Sequence, residues 1–135
     1  LVIKIPMGWK ELVAIRRLRE FGIDTNCTCI FKAGQAILAM ESWADYVSFF
    51  TNRMKDRGID VAGEIDLARR KVDDSIFDTK IICGSIRKPE DVMECFMAGA
   101  HIVTCSLPIL KQLAYHEGTV DSVNKFLSDF REWQS

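Results

Sequence analysis

Short runs rich in valine, isoleucine, phenylalanine and threonine alternate along the chain with stretches in which apolar residues recur every three or four positions. That beat is the pattern of successive βα units around a parallel sheet. Five strands are predicted, over Leu1 to Ile5, Thr25 to Phe31, Asp45 to Phe50, Lys80 to Ser85 and His101 to Cys105. Leu12, Ile15 and Leu18, with Phe21 beyond them, mark a helix over Gly8 to Phe21 that Gly22 closes. A second helix is predicted over Gly34 to Trp43, and a third over Asp60 to Asp74, striped by Val61, Ile65, Ala68 and Val72. Pro89 at a first helical position, with Glu90 and Asp91 in the first turn, starts a fourth helix that carries Val92, Cys95 and Phe96 and stops at Gly99. Two tail helices follow, Leu107 to His116 and Thr119 to Trp133, the second with Thr119 as its candidate N-cap.

The length of 135 residues predicts one domain over the whole chain. A complete eight-stranded α/β barrel needs roughly 200 to 250 residues, so five units predict a partial one. Because Leu1 leads straight into a strand without a cap or turn, the chain is expected to be cut from within a larger barrel. With 18 basic and 19 acidic residues the formal net charge is -1, which leaves no broad basic surface for nucleic acid or an anionic membrane. An anionic ligand must then be met by a few placed cations. Five cysteines, most of them inside apolar runs, point to reduced thiols in the cytoplasm rather than a disulfide framework. No run reaches the ~18 apolar residues of a membrane span, so a soluble protein is expected.

Strand parity sorts the polar residues that face a barrel interior. Lys4 shares a face with Val2, while Ile3 and Ile5 point toward helices. Poor solvation among aliphatics favours a neutral, nucleophilic amine; a lysine snorkelling from the strand end to solvent is the competing reading. Asn26 and Thr28 share one face of the second strand, which sends Cys27 and Cys29 toward helices as small hydrophobes. A metal at Cys27 and Cys29 is not expected, since no second ligand pair exists and His101 and His116 stand alone. Tyr46, Ser48 and Phe50 share a face of the third strand, and Ile81, Cys83 and Ser85 a face of the fourth. Arg53 and Arg87 lie just past those strand ends, where guanidinium forks suit a phosphate monoester. Solvated loop arginines are the alternative.

Several of these segments together resemble one family. Val2-Ile3-Lys4-Ile5-Pro6-Met7 is similar to the strand that carries the Schiff-base lysine of the transaldolases, which reads Val-Lys-Ile-Pro. In chain order, Asn26-Cys27-Thr28 resembles the family's Asn-x-Thr strand, Gln35-Ala36 follows as in its small members, and Tyr46 to Arg53 resembles Tyr-Val-Ser-Pro-Phe-Val-Gly-Arg. Gly84-Ser85-Ile86-Arg87 resembles Ala-Ser-Ile-Arg, and Leu110 to Leu113 and Lys125 to Phe130 resemble the last helices of small transaldolases and fructose-6-phosphate aldolases. Phe49 stands where the family has proline, Asn52 where most transaldolases have glycine, and Lys55 near a usual aspartate. The loop after the third strand is therefore expected to bend differently.

The resemblance implies a partial (β/α)8 barrel in which Lys4 forms an imine with a ketose phosphate. The bond between the third and fourth carbons breaks, and a dihydroxyacetone unit passes to another sugar phosphate. It further implies that Asn26 and Ser85 hold the dihydroxyacetone hydroxyls, Thr28 positions a catalytic water, Ser48 and Phe50 line the pocket, and Arg53 and Arg87 hold the phosphate. The intact Ser-Ile-Arg motif makes Arg87 the stronger of that pair. No cofactor or metal is implied; the partners are small sugar phosphates and, because isolated strands leave raw sheet edges, other copies in a homo-oligomer. The family's acid/base groups lie on its first three strands, outside this chain, so the chain alone is expected to be nearly inactive. A fructose-6-phosphate aldolase, which the pair Asn52-Arg53 favours, and a non-catalytic half-barrel are the alternatives.

Overall fold

A computed structural model describes residues 1–134. They form two compact units, one over Leu1–Cys105 and a second beginning at Ser106. In the first unit, strands β1 (Val2–Pro6), β2 (Asp24–Ile30), β3 (Tyr46–Phe50), β4 (Lys80–Gly84) and β5 (Ile102–Val103) lie side by side in sequence order, all parallel. Helices α1 (Trp9–Glu20), α2 (Ala33–Glu41), α4 (Val61–Asp73) and α5 (Pro89–Met97) connect them, as predicted to within two residues. The short helix α3 (Thr51–Lys55) was not predicted: five residues are too few to show a helical period. It replaces the loop expected after β3.

Local chemistry sets the boundaries. Past the end of α1, the Gly22 N–H donates to the Arg19 carbonyl and the Ile23 N–H to that of Leu18, a pairing that needs the left-handed φ of 68° at Gly22. Asp60 caps α4 by accepting the Gly63 N–H at 3.1 Å. Pro89 begins α5 as expected, and the Asp91 side chain in its first turn accepts the Lys88 N–H at 3.1 Å.

The core lies between one face of the sheet and the helices. Ile5, Cys27, Val47, Phe49, Ile81 and Cys83 pack there with Leu12, Ile15, Ala36, Met40, Ile65 and Ala68. Two strand readings need correction. Ile81 and Cys83 belong to this core, so the inward face of β4 carries Ile82 and Gly84 instead. In β2 the register passes from Cys27 opposite Val47 to Ile30 opposite Phe49, one extra residue in β2, and Cys29 takes a φ of 61°. This bulge turns Ile30 into the core and leaves Cys29 half-buried rather than packed like Cys27.

In the second unit, α6 (Leu107–Ala114) ends two residues earlier than predicted, and α7 (Glu117–Gln134) begins two residues before Thr119. The turn between them is closed by the Gly118 N–H donating to His116 Nδ1 at 3.1 Å, so His116 takes the part expected of Thr119. No helix among the described residues is long and apolar enough to cross a membrane.

The alternation on β3 predicts a contrast between adjacent residues. Phe49 is fully buried and Phe50 only partly. In the full-length protein Phe49→Ala should lower the unfolding free energy by about 3–5 kcal/mol, and Phe50→Ala by less than half as much, as read by urea denaturation.

Candidate active site

The register of the parallel strands brings the inward polar residues to one place. Lys4 pairs with Asn26, and Asn26 with Tyr46; two residues along, Ser48 pairs with Ile82. Lys4, Asn26, Ser48, Phe50 and Ser85 line one cavity of about 190 Å³ together with Ile82, Gly84 and Thr104. Five of the eight residues singled out from the sequence therefore meet there. Thr28 lies on Lys4's face opposite Pro6, buried, with its Oγ1 lacking a hydrogen-bond partner among the described residues. Lys4 itself is exposed on this open face rather than enclosed by aliphatics.

Ser48 Oγ donates to Asn26 Oδ1 at 2.7 Å. With its carbonyl oxygen so engaged, Asn26 keeps its amide hydrogens for a second acceptor. Ser85 reaches the cavity against strand parity. Its φ of 65° is left-handed, a conformation that costs a serine about 1–2 kcal/mol, and it swings the residue away from the Cys83 side of β4. A Cβ at Gly84 would come within 3.2 Å of Thr104 Oγ1, so a larger residue there would require the Thr104 side chain to shift slightly. Thr104 was missed in the sequence; a polar residue at the exit of β5 was the available signal.

The exit of β4 is held by side chains from α3 and α5. Thr51 Oγ1 donates to the Gly84 carbonyl at 2.9 Å, and Asn52 Nδ2 to the Ser85 carbonyl at 2.8 Å. Asn52 Nδ2 also donates to Asp91 Oδ2 at 2.7 Å, and the Arg87 and Lys88 N–H groups reach that same oxygen at 3.1 Å. Lys55 Nζ meets Asp91 Oδ1 at 2.8 Å and Glu94 as well. Asn52 and Lys55, two departures from the expected motif, thus converge on one buried carboxylate.

The two arginines part company. Arg53 lays its guanidinium 4.8 Å from the centre of the Phe50 ring and has no carboxylate partner among the described residues. Arg57 does the same over Phe31 at 5.1 Å, and the Phe31 and Phe50 rings meet edge to face at 6.2 Å. Arg87 is not among the cavity's lining residues; it grips Asp56 with both terminal nitrogens, at 2.7 and 2.6 Å.

The whole described site lies in a segment, residues 1–135, that matches the family model of transaldolase and fructose-6-phosphate aldolase. The chain belongs to that family. A probable transaldolase of Clostridium acetobutylicum is 42% identical over 132 residues, 98% of this chain and 61% of the relative. One from Thermoplasma volcanium is 39% identical over 131 residues, 97% of this chain and 59% of the relative. The chain spans about three-fifths of the length of these transaldolase relatives. Among solved structures, a putative lactate oxidase of Pediococcus acidilactici superimposes with a TM-score of 0.54 at 17% identity, over 69% of this chain and 26% of the oxidase. A mandelate oxidase gives 0.53 at 15%, over 70% and 28%. These likenesses concern the fold alone, and they identify the parallel sheet of this transaldolase-family chain as part of a (β/α)8 barrel.

Charge in the site follows from these contacts. Burial by itself would raise the Asp91 carboxyl, but hydrogen bonds from Lys55, Asn52 and the Arg87 and Lys88 amides outweigh it and hold it at about 2. Hydrogen bonds to Asp91 and Glu94 in turn raise Lys55. Burial, with Cys29 adding to it, pushes the Cys27 thiol up to about 11, so it stays protonated at neutral pH. Since the Asp91 value is depressed from its ordinary 3.8, its stabilisation is present above that value and is lost as pH falls through about 2. Asp91→Asn should cost roughly 2 kcal/mol at neutral pH and flatten the loss of stability between about pH 4 and 2, measured by urea unfolding across that range.

Proposed function

We propose that this chain is the lysine-bearing part of a transaldolase that moves a dihydroxyacetone unit between sugar phosphates. The observation that carries the reading is the meeting of the Lys4 amine, the Asn26 amide and the Ser85 residue at one cavity in a chain of this family. Lys4 Nζ attacks the ketose carbonyl, water leaves, and an imine forms. Cleavage between the third and fourth carbons releases an aldose phosphate and leaves an enamine on Lys4. The enamine then attacks the aldehyde of an acceptor aldose phosphate, and water hydrolyses the new imine. Asn26 and Ser85 hold the hydroxyls of the bound unit, Thr28 offers its hydroxyl to the water, and Ser48 keeps Asn26 turned. Among the described residues no carboxylate or histidine lines the cavity, so the proton-transfer group comes from outside them. The chain would then be part of a single barrel domain. In that barrel the rest of the protein closes the β1 and β5 edges, which are unpaired among the described residues; in the alternative of a half-barrel standing by itself, those two edges favour self-association into a homo-oligomer.

For the phosphate the reading uses Arg53 first. Its guanidinium is not occupied by a carboxylate and lies against the cavity-lining Phe50, whereas Arg87 must give up Asp56 before it can bind an anion. The geometry therefore favours the reverse of the order that the motifs alone suggested. Phe50, having no hydroxyl, gives no proton to the enamine, which favours transfer to an acceptor over release of free dihydroxyacetone.

Borohydride reduction of the full-length protein with fructose 6-phosphate should leave a stable added mass on the peptide that contains Lys4. Label on Lys10 or Lys80 with Lys4 unmodified would contradict the assignment. Kinetics test the anion site: Arg53→Ala should raise KM for the phosphorylated ketose about tenfold or more, and Arg87→Ala by only a few fold. Cleavage of fructose 6-phosphate should depend on an added aldose phosphate acceptor, and Phe50→Tyr should weaken that dependence. Equal turnover with and without acceptor in the wild type would favour the aldolase reading instead.

A further inference from the structure

The exit of β4 must do two things that conflict. It must leave the sheet at Gly84, and it must present Ser85 to the same cavity as Lys4, although alternation along β4 assigns Ser85 to the opposite face. The conflict is resolved by a left-handed residue, φ 65°, a conformation uncommon for any residue but glycine. Something outside the segment has to over-determine it. Four side-chain contacts converge on residues 84–88: Thr51 on the Gly84 carbonyl, Asn52 on the Ser85 carbonyl, and Asp91 on the Arg87 and Lys88 amides. Asn52 joins the two halves of this set, because its one amide nitrogen donates both to Ser85 and to Asp91. It is buried, with 6% of its surface exposed, and does not line the cavity.

We propose that Asn52 is a positioning residue: anchored by Asp91, it holds the Ser85 peptide in its left-handed turn and so aims the Ser85 hydroxyl at the Lys4 cavity. Among the described residues no other side chain takes the Ser85 carbonyl; Thr51 serves the preceding carbonyl, and Asp91 the Arg87 and Lys88 amides. Lys55 completes the anchor by neutralising Asp91. The arrangement also gives Asn52 and Lys55 one shared use, since an amide at position 52 and a cation at position 55 both satisfy the buried carboxylate at position 91.

The functional arm of the test rests on the Lys4 reading, and a second arm does not. In the full-length protein, Asn52→Ala should lower kcat/KM for the ketose phosphate by about tenfold. In a Ser85→Ala background the same change should have almost no further effect, because Asn52 would act through a hydroxyl no longer there. The same loss in both backgrounds would overturn the proposal, since a purely structural role is blind to the Ser85 hydroxyl. Independently of any activity, amide hydrogen exchange over residues 84–88 should quicken by about tenfold in Asn52→Ala while β1 is unaffected; unchanged exchange there would equally overturn it. Should the wild type neither form an imine nor cleave ketose phosphates, the Lys4 reading fails and the exchange arm alone decides. If the alanine variant does not fold, Asn52→Ser, which keeps one donor, takes its place in both arms with effects of the same sign.

Discussion

Everything at the candidate site depends on parallel register. With Lys4 opposite Asn26, Asn26 opposite Tyr46 and Ser48 opposite Ile82, the side chains that point away from the helices are fixed to one surface. A shift of one residue in any strand would send its polar set into the core and its core set to the cavity. The core enforces the choice, because Cys27, Val47, Phe49, Ile81 and Cys83 are all essentially without exposure. Burial of the apolar face and assembly of the polar one are the same constraint seen from two sides.

Two departures from strand alternation, one a register shift in β2 and one a left-handed residue past β4, fall at the strand exits, where ligands meet parallel sheets. The bulge after Thr28 lets β2 carry Asn26 and Thr28 toward the cavity face and still return Ile30 to the core. The left-handed Ser85 brings β4 back to a face it would otherwise have left. Charge follows the same economy. Asp91 and Asp56 neutralise Lys55 and Arg87, which leaves Arg53 and Arg57, stacked on Phe50 and Phe31, as guanidinium groups without a carboxylate at this end of the sheet.

Much of this was legible in the sequence, and the failures have physical causes. The βα beat, the Gly22 and Pro89 boundaries and the inward parity of Lys4, Asn26 and Ser48 needed only periodicity, turn chemistry and alternation. Alternation holds from Ile81 to Gly84 and breaks at Ser85, so grouping Ile81 and Cys83 with Ser85 put them on the wrong face; it breaks again at Cys29, and positive φ at a serine or cysteine has no local signature. Helix α3 was too short to show a period. The partnership of Asn52, Lys55 and Asp91 spans up to 39 residues of sequence and arises only when α3 packs near the start of α5. Each member is visible singly in the sequence; the contact between them is not.

The proposed role of the Lys4 amine draws on membership of the transaldolase family and on the cavity that Lys4 lines, and its decisive test is what surrounds that amine when it is loaded. The most direct measurement is a crystal structure of the full-length protein after reduction with borohydride in the presence of dihydroxyacetone. The account predicts the three-carbon unit attached to Lys4 Nζ, with the Asn26 amide and the Ser85 hydroxyl each at hydrogen-bonding distance from its oxygens. A unit on Lys4 that lies toward solvent and touches neither residue, or one attached to another lysine, would contradict it.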